Sequence, residues 1–110
     1  MKAWTPWRPM PSPDDCRKIE GPESPGVYQI RNRKTGEYIQ FGESINCKKR
    51  MKSFFPKPYG VGTRNNENKR KYILNNWKDL DYRTTSTNTK EEAVKIDRQL
   101  KSLNNHLFNT

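Results

Sequence analysis

An α+β fold, a small three-stranded antiparallel sheet flanked by helices, is what this sequence predicts. Three observations carry the prediction. Val27 to Arg31 and Tyr38 to Phe41 are rich in strand formers and flank the polar turn Asn32-Arg33-Lys34-Thr35-Gly36. Leu80, Tyr82 and Thr84 alternate with Asp79, Asp81 and Arg83, as in a half-buried third strand. Ala93, Ile96, Leu100 and Leu103 recur at helical spacing and mark the core face of a last helix.

Taken in order, residues 1–24 form a proline-rich arm ahead of a domain spanning 25–110. Ser12-Pro13-Asp14-Asp15 is a helix start, with a capping serine, proline at the first position and acids against the dipole, and two turns reach Ile19. Trp4 and Trp7 have two readings: packing over the sheet, or a base-stacking or partner-binding arm. In the hairpin, Gly36 supplies the positive φ of the turn. Gly42 ends the second strand, and Ser44 caps a helix that turns Ile45, Cys47, Met51 and Phe54 or Phe55 toward the core. Lys48, Lys49 and Lys52 fall on its other side. Phe55 to Gly62 is a loop by its prolines and glycines. Arg64 to Trp77 reads as a helix with Tyr72, Ile73 and Trp77 as apolar contacts and a basic face at Lys69, Arg70 and Lys71. Thr89-Lys90-Glu91-Glu92 is a capping box for the last helix. Asp97 lies close to the apolar stripe of that helix, so its carboxylate needs a cation, a hydrogen bond or a metal ion.

Length and composition bound the function. A chain of 110 residues suits one domain. With 30% hydrophobic residues its core is small, and 11% aromatic residues partly compensate. No run crosses a membrane, and prolines interrupt any secretory signal, so an intracellular location, cytoplasmic or nucleoid-associated, is expected. Cys16 and Cys47 are expected as free thiols, and a single histidine leaves no Cys/His metal site. The net charge of +10 points to a polyanion. Nine Lys/Arg residues and one acid lie between Lys48 and Lys71, and Lys48, Lys49, Lys52, Lys57, Arg64, Lys69, Arg70 and Lys71 are the candidate nucleic-acid contacts. Double-stranded DNA is the leading partner, a protein the other.

Gly26-Val27-Tyr28, Phe41-Gly42, the eight-residue step from Gly42 to Arg50, and the twelve-residue step from Asp97 to Asn109 together resemble the GIY-YIG nuclease superfamily. The version most similar is that of bacterial excision-repair incision proteins, including the lead-in Glu23-Ser24-Pro25. The resemblance covers roughly residues 20–110. It implies that Tyr28 activates a water, Arg50 clamps the phosphate, Asn109 holds the tail to the site, and Asp97 takes the metal position, with Mg²⁺ (or Mn²⁺) as cofactor if the site is active and none otherwise. Three positions depart from the pattern. Gln40 stands where the second tyrosine belongs, Phe54 replaces a tyrosine or histidine, and Asp97 is one methylene shorter than glutamate. Gln40 can still hydrogen-bond a phosphate oxygen. Tyr38 lies two residues earlier, about 6.5 Å away, and could take over only through a bulge. Glu43 is a supplementary ligand or a solvated acid. These residues imply a nucleic-acid-binding domain with a degenerate site and weak or absent phosphodiesterase activity. The alternatives are an active divalent-metal-dependent DNA endonuclease, and an inhibitor or decoy that binds protein on the nuclease fold.

Overall fold

Antiparallel pairing at the centre of the chain organises the molecule. A computed structural model describes residues 3–51, 54–55 and 67–109, with Cys16 by its backbone alone. In chain order the elements are β1 (Arg8–Pro9), a 3₁₀ turn (Pro13–Lys18), β2 (Gly26–Asn32), β3 (Tyr38–Ser44), α1 (Cys47–Met51), α2 (Glu67–Asn76), a 3₁₀ turn (Trp77–Asp79), β4 (Leu80–Ser86), α3 (Lys90–Leu103) and β5 (His106–Phe108). The sheet runs β1-β4-β2-β3-β5, antiparallel except for the parallel pair β3/β5.

The expected three-stranded antiparallel sheet is thus corrected to a five-stranded mixed sheet. Both added strands are short edge strands, below the length at which alternation is legible. β1 contains Pro9, which has no N–H to donate and so belongs at an edge. Its neighbours close the ladder, Thr5 donating to the Thr84 carbonyl and Met10 to that of Leu80. β5 follows α3 after Asn104, which turns the chain in the left-handed region at φ 49°.

Val27 and Tyr28 point to opposite faces of β2, and a core cluster forms on each. Tyr28, Ile30, Met51, Phe54, Phe55, Ile73, Leu80 and Tyr82 belong to the larger. Val27, Ala93 and Ile96 form the smaller, with Trp4 and Leu100 against it. The positive φ of Gly36, 76°, fits the hairpin turn.

Several local expectations are also revised. The helix after β3 starts at Cys47, and its cap is Asn46, whose Oδ1 accepts from Lys49 N at 3.0 Å. Ser44 Oγ accepts instead from Asn46 N, which leaves Ile45 outside the helix and 62% exposed. Leu103, the last residue of α3, is also exposed. The capping box is present: Thr89 accepts from Glu92 N, and the Glu92 carboxylate accepts in return from the backbone of Thr89 and also of Asn88. β4 is buried on both faces and not half-buried; Asp81 lies inside, between Arg31 and Arg33. Trp4 and Trp7 take the packing role. Arg83 lies over both rings at 4.5 Å and Arg31 over Trp7 at 4.3 Å. Cys47 is a buried free thiol, pushed up to about 12 by burial. Most of the loop 55–62, the helix start at Arg64, and Lys52, Lys57 and Arg64 themselves lie outside the described residues.

Candidate functional site

Tyr28 from β2, Gln40 from β3, Arg50 from α1, and Lys69, Arg70 and Ile73 from α2 line one pocket, with Phe54 beside Tyr28. Its cavity volume is about 20 Å³, enough for roughly one water. Four elements converge there. The β2/β3 ladder pairs Tyr28 with Gly42 and Ile30 with Gln40, which brings both polar side chains to one face. α1 sends Arg50 toward that face from the end of β3. In α2, Arg70 and Ile73 are three apart and share the buried side.

Gly42 is required by a close approach. A Cβ there would lie 2.6 Å from the Tyr28 hydroxyl and 2.7 Å from two ring carbons. The tyrosine ring therefore lies flat against the strand backbone. Gly42→Ala is expected to force the ring aside and to cost about 1–3 kcal/mol. In a Tyr28→Ala background the same change should cost much less, and a thermodynamic double-mutant cycle measures the coupling.

Phe54 packs edge-on against Tyr28 with ring centroids 4.7 Å apart, and both residues are buried. Burial pushes the Tyr28 phenol up to about 12; Arg50 and Arg70 act against the shift, and Cys47 and Asp97 reinforce it. A phenol of this kind is neutral at physiological pH and can donate a hydrogen bond, but it is a poor general base. The folded-state value lies above the unfolded value, so the associated stability is complete below pH 10.0 and is lost as pH rises through about 12. The loss is about 2–3 kcal/mol at most. Tyr28→Phe should remove that alkaline component, and absorbance at tyrosinate wavelengths should show one phenol titrating late in the native protein.

Lys69 is held below its ordinary range by burial, then by Arg50 and Arg70, with Asp97 opposing. Arg70, 5% exposed, is lowered by burial and by Arg50, with Tyr28 opposing. Asp97 stands on α3 outside the pocket lining. Burial raises its carboxyl, Glu43 raises it further, and Lys101 and Lys69 act against both. Glu43 is half-buried, with Oε2 buried and without a hydrogen-bond partner among the described residues, so it is not the solvated acid its sequence context allowed. Gln40 is 3% exposed, and its Oε1 is likewise buried without a hydrogen-bond partner among the described residues. Among the described residues no three His, Cys, Asp or Glu side chains group around one point.

The other expected site residues are dispersed. Asn109 is not in the pocket; its Nδ2 donates to the Lys101 carbonyl at 2.9 Å and ties the tail to the end of α3. β3 does carry a bulge, since Ile30 pairs with Gln40 and Arg31 with Tyr38. The bulge turns Tyr38 away from the pocket, into a stack with Trp7 at 6.4 Å and His106 at 5.3 Å. His106 in turn meets Phe41 edge-on and Gln29 at 3.0 Å. Lys48 pairs with Glu23 and Lys71 with Glu67, both at the surface, and Lys49 is exposed. Sequence reading put Lys69 and Arg70 on a solvated basic face. The available signal was the three-residue spacing from Arg70 to the apolar Ile73.

No protein-family model matches the chain. It is 34% identical over 79 residues to UvrABC system protein C of Bacteroides thetaiotaomicron, and the matched segment covers 72% of this chain and 12% of that protein. No described helix is long and apolar enough to cross a membrane. The likeness to protein C supports distant kinship with excision-repair proteins that carry a GIY-YIG domain, at superfamily level.

Proposed function

We propose that this domain binds nucleic acid, duplex DNA foremost, through the cationic surface of α1 and α2, and that it cleaves phosphodiesters weakly or not at all. The observation that carries this reading is Tyr28 buried under Phe54 as a neutral phenol, in a pocket where three cations face it. The cations suit phosphate. The phenol lacks the solvation and the second tyrosine that would let it take a proton from water, because Gln40 holds the neighbouring position. The distant kinship with protein C adds weight to a nucleic-acid ligand.

A second reading, an active metal-dependent nuclease, is favoured by one feature. Glu43 lies near enough to Asp97 to raise its carboxyl, and Glu43 Oε2 is buried without a hydrogen-bond partner among the described residues. Two carboxylates are a hard-oxygen donor set that fits Mg²⁺ or Mn²⁺ completed by water and phosphate. A divalent ion there would supply charge stabilisation to the phosphate, while Arg50 would hold the phosphate and Tyr28 would donate a hydrogen bond.

The two readings separate in one experiment. Supercoiled plasmid incubated for hours with the protein in Mg²⁺ or Mn²⁺ should be retarded in a gel yet remain supercoiled after protein removal. Nicking that Arg50→Ala and Asp97→Ala each abolish would replace the first reading with the second.

A further inference from the structure

We propose that protonation of His106 releases β5 from the sheet, so that the fold carries an acid-operated latch on the strand edge beside the pocket. The latch goes beyond the nucleic-acid reading and does not depend on what the pocket binds. It rests on a directed chain of hydrogen bonds. Arg83 Nε, which can only donate, reaches Gln29 Oε1 at 2.8 Å. That contact fixes which way round the Gln29 amide lies. Gln29 Nε2, also a donor only, therefore faces His106 Nε2 at 3.0 Å, and the imidazole must accept there. The single proton of the neutral ring is left on Nδ1, which is buried without a hydrogen-bond partner among the described residues.

A second proton has no place in this arrangement. It would sit on Nε2, donor against donor, while Nδ1–H stayed unanswered. Turning the Gln29 amide over would serve the ring but set its NH₂ against Arg83. Gln29 is 2% exposed and His106 7%, so bulk water does not stand in for the missing acceptor. The charged groups around the ring give no relief. Arg83 lies behind Gln29, Asp81 is taken by Arg31 and Arg33, and Asp97 and Lys101 of α3 act on each other. Tyr38 and Phe41 of β3 meet the ring as aromatic groups, one stacked and one edge-on. Burial accordingly holds the imidazole below its ordinary value of 6.5. The part that yields is β5, three residues at the edge of the sheet, paired with β3 alone. Asn109 ties the tail to α3 and not to the sheet. Phe108 pairs with Gln40 and packs on Tyr72 of α2, so release uncovers β3 at a residue that lines the pocket. The detached ring binds its proton more strongly than the docked one, so docking is complete above 6.5 and weakens as pH falls below it.

The test is NMR of the intact protein between about pH 8 and about pH 5. At the upper end the ring nitrogens report the tautomer directly, and the proton is expected on Nδ1. At the lower end the ring contacts of Phe108 with Tyr72 and of His106 with Tyr38 should be lost. The amides of residues 106–108 should then exchange about tenfold faster than the change in intrinsic rate accounts for, while those of β2 and β4 hold. His106→Gln keeps an acceptor toward Gln29 and does not titrate, so its tail should stay docked throughout. Gln29→Glu inverts the device. A carboxylate accepts from Arg83 and from a protonated ring alike, so His106 should titrate above 6.5 and β5 should remain in place in acid. The proposal is overturned if Nε2 carries the proton in the docked protein, or if His106 becomes charged with both ring contacts intact. It is overturned equally if folded His106→Gln loses its tail in acid as the unmodified protein does. The tautomer is read on the unmodified protein, so a substitution that fails to fold leaves a decisive measurement in hand.

Discussion

The affinity of this protein for duplex DNA is expected to fall about 250- to 1,000-fold between 50 and 200 mM monovalent salt, a slope of log K on log salt of about −4 to −5. The figure follows from about five phosphates neutralised, each releasing its condensed counterion. The cations available for this are a subset of the 22 in the chain. Arg31, Arg33 and Arg83 are occupied in the fold, two on Asp81 and two against tryptophan rings. Those at 48–71 number nine, and of the described ones Lys48, Lys49 and Lys71 lie outside the pocket while Arg50, Lys69 and Arg70 line it. Charge reversal at the outer set, Lys48→Glu with Lys49→Glu, should flatten the slope by about two. Reversal at Arg33, which faces Asp81 and the Lys78 carbonyl, should instead lower stability and leave the slope of the folded protein nearly unchanged. Fluorescence anisotropy at five salt concentrations measures both. An affinity that is flat over this range would exclude a phosphate-driven interface and shift the weight to a protein partner.

The hairpin was legible because its signals are local. Strand formers on both sides of a turn glycine need no distant information, and neither does the repeat at Ala93 and Ile96. The pairing of Tyr28 with Arg50 was legible through the resemblance, which carries spacing across elements. What escaped depends on neighbours far along the chain. β1 and β5 are defined only by the strands they join, and three residues or fewer have no readable period. The interior position of Asp81 was missed because alternation assigns a charged residue to solvent. Its burial is set by Arg31 and Arg33, 50 and 48 residues away. Ile45 looked apolar enough for the core, yet the true cap, Asn46, puts it ahead of the helix. Glu43 looked solvated because nothing local says that Asp97 faces it. Tyr38 shows the limit most directly. A bulge was the condition for it to reach the site, and the bulge that is present turns it the other way.

Replacing both Arg31 and Arg33 by methionine is expected to destabilise the fold by about 3–5 kcal/mol, whereas Asp81→Ala should cost less, about 2 kcal/mol. The difference comes from which partner is left behind. The side chain of Asp81 is 8% exposed, while those of Arg31 and Arg33 are 34% and 47% exposed. Removing the acid frees two guanidinium groups that already reach water, and Arg31 keeps its stack on Trp7. Removing the arginines leaves a carboxylate enclosed by β1, β2 and β4 without the cations that solvate it, and the Trp7 contact is lost as well. Adding Asp81→Leu to the double arginine variant should then recover much of the loss, because a charge-free interior of similar volume is tolerated. Urea unfolding gives the three values, provided the m-values agree so that the midpoints report stability alone. If Asp81→Ala is the more damaging change, the carboxylate is doing more than meeting these two arginines. The β1 edge, held to β4 beside it, would then be the place to look for its other role.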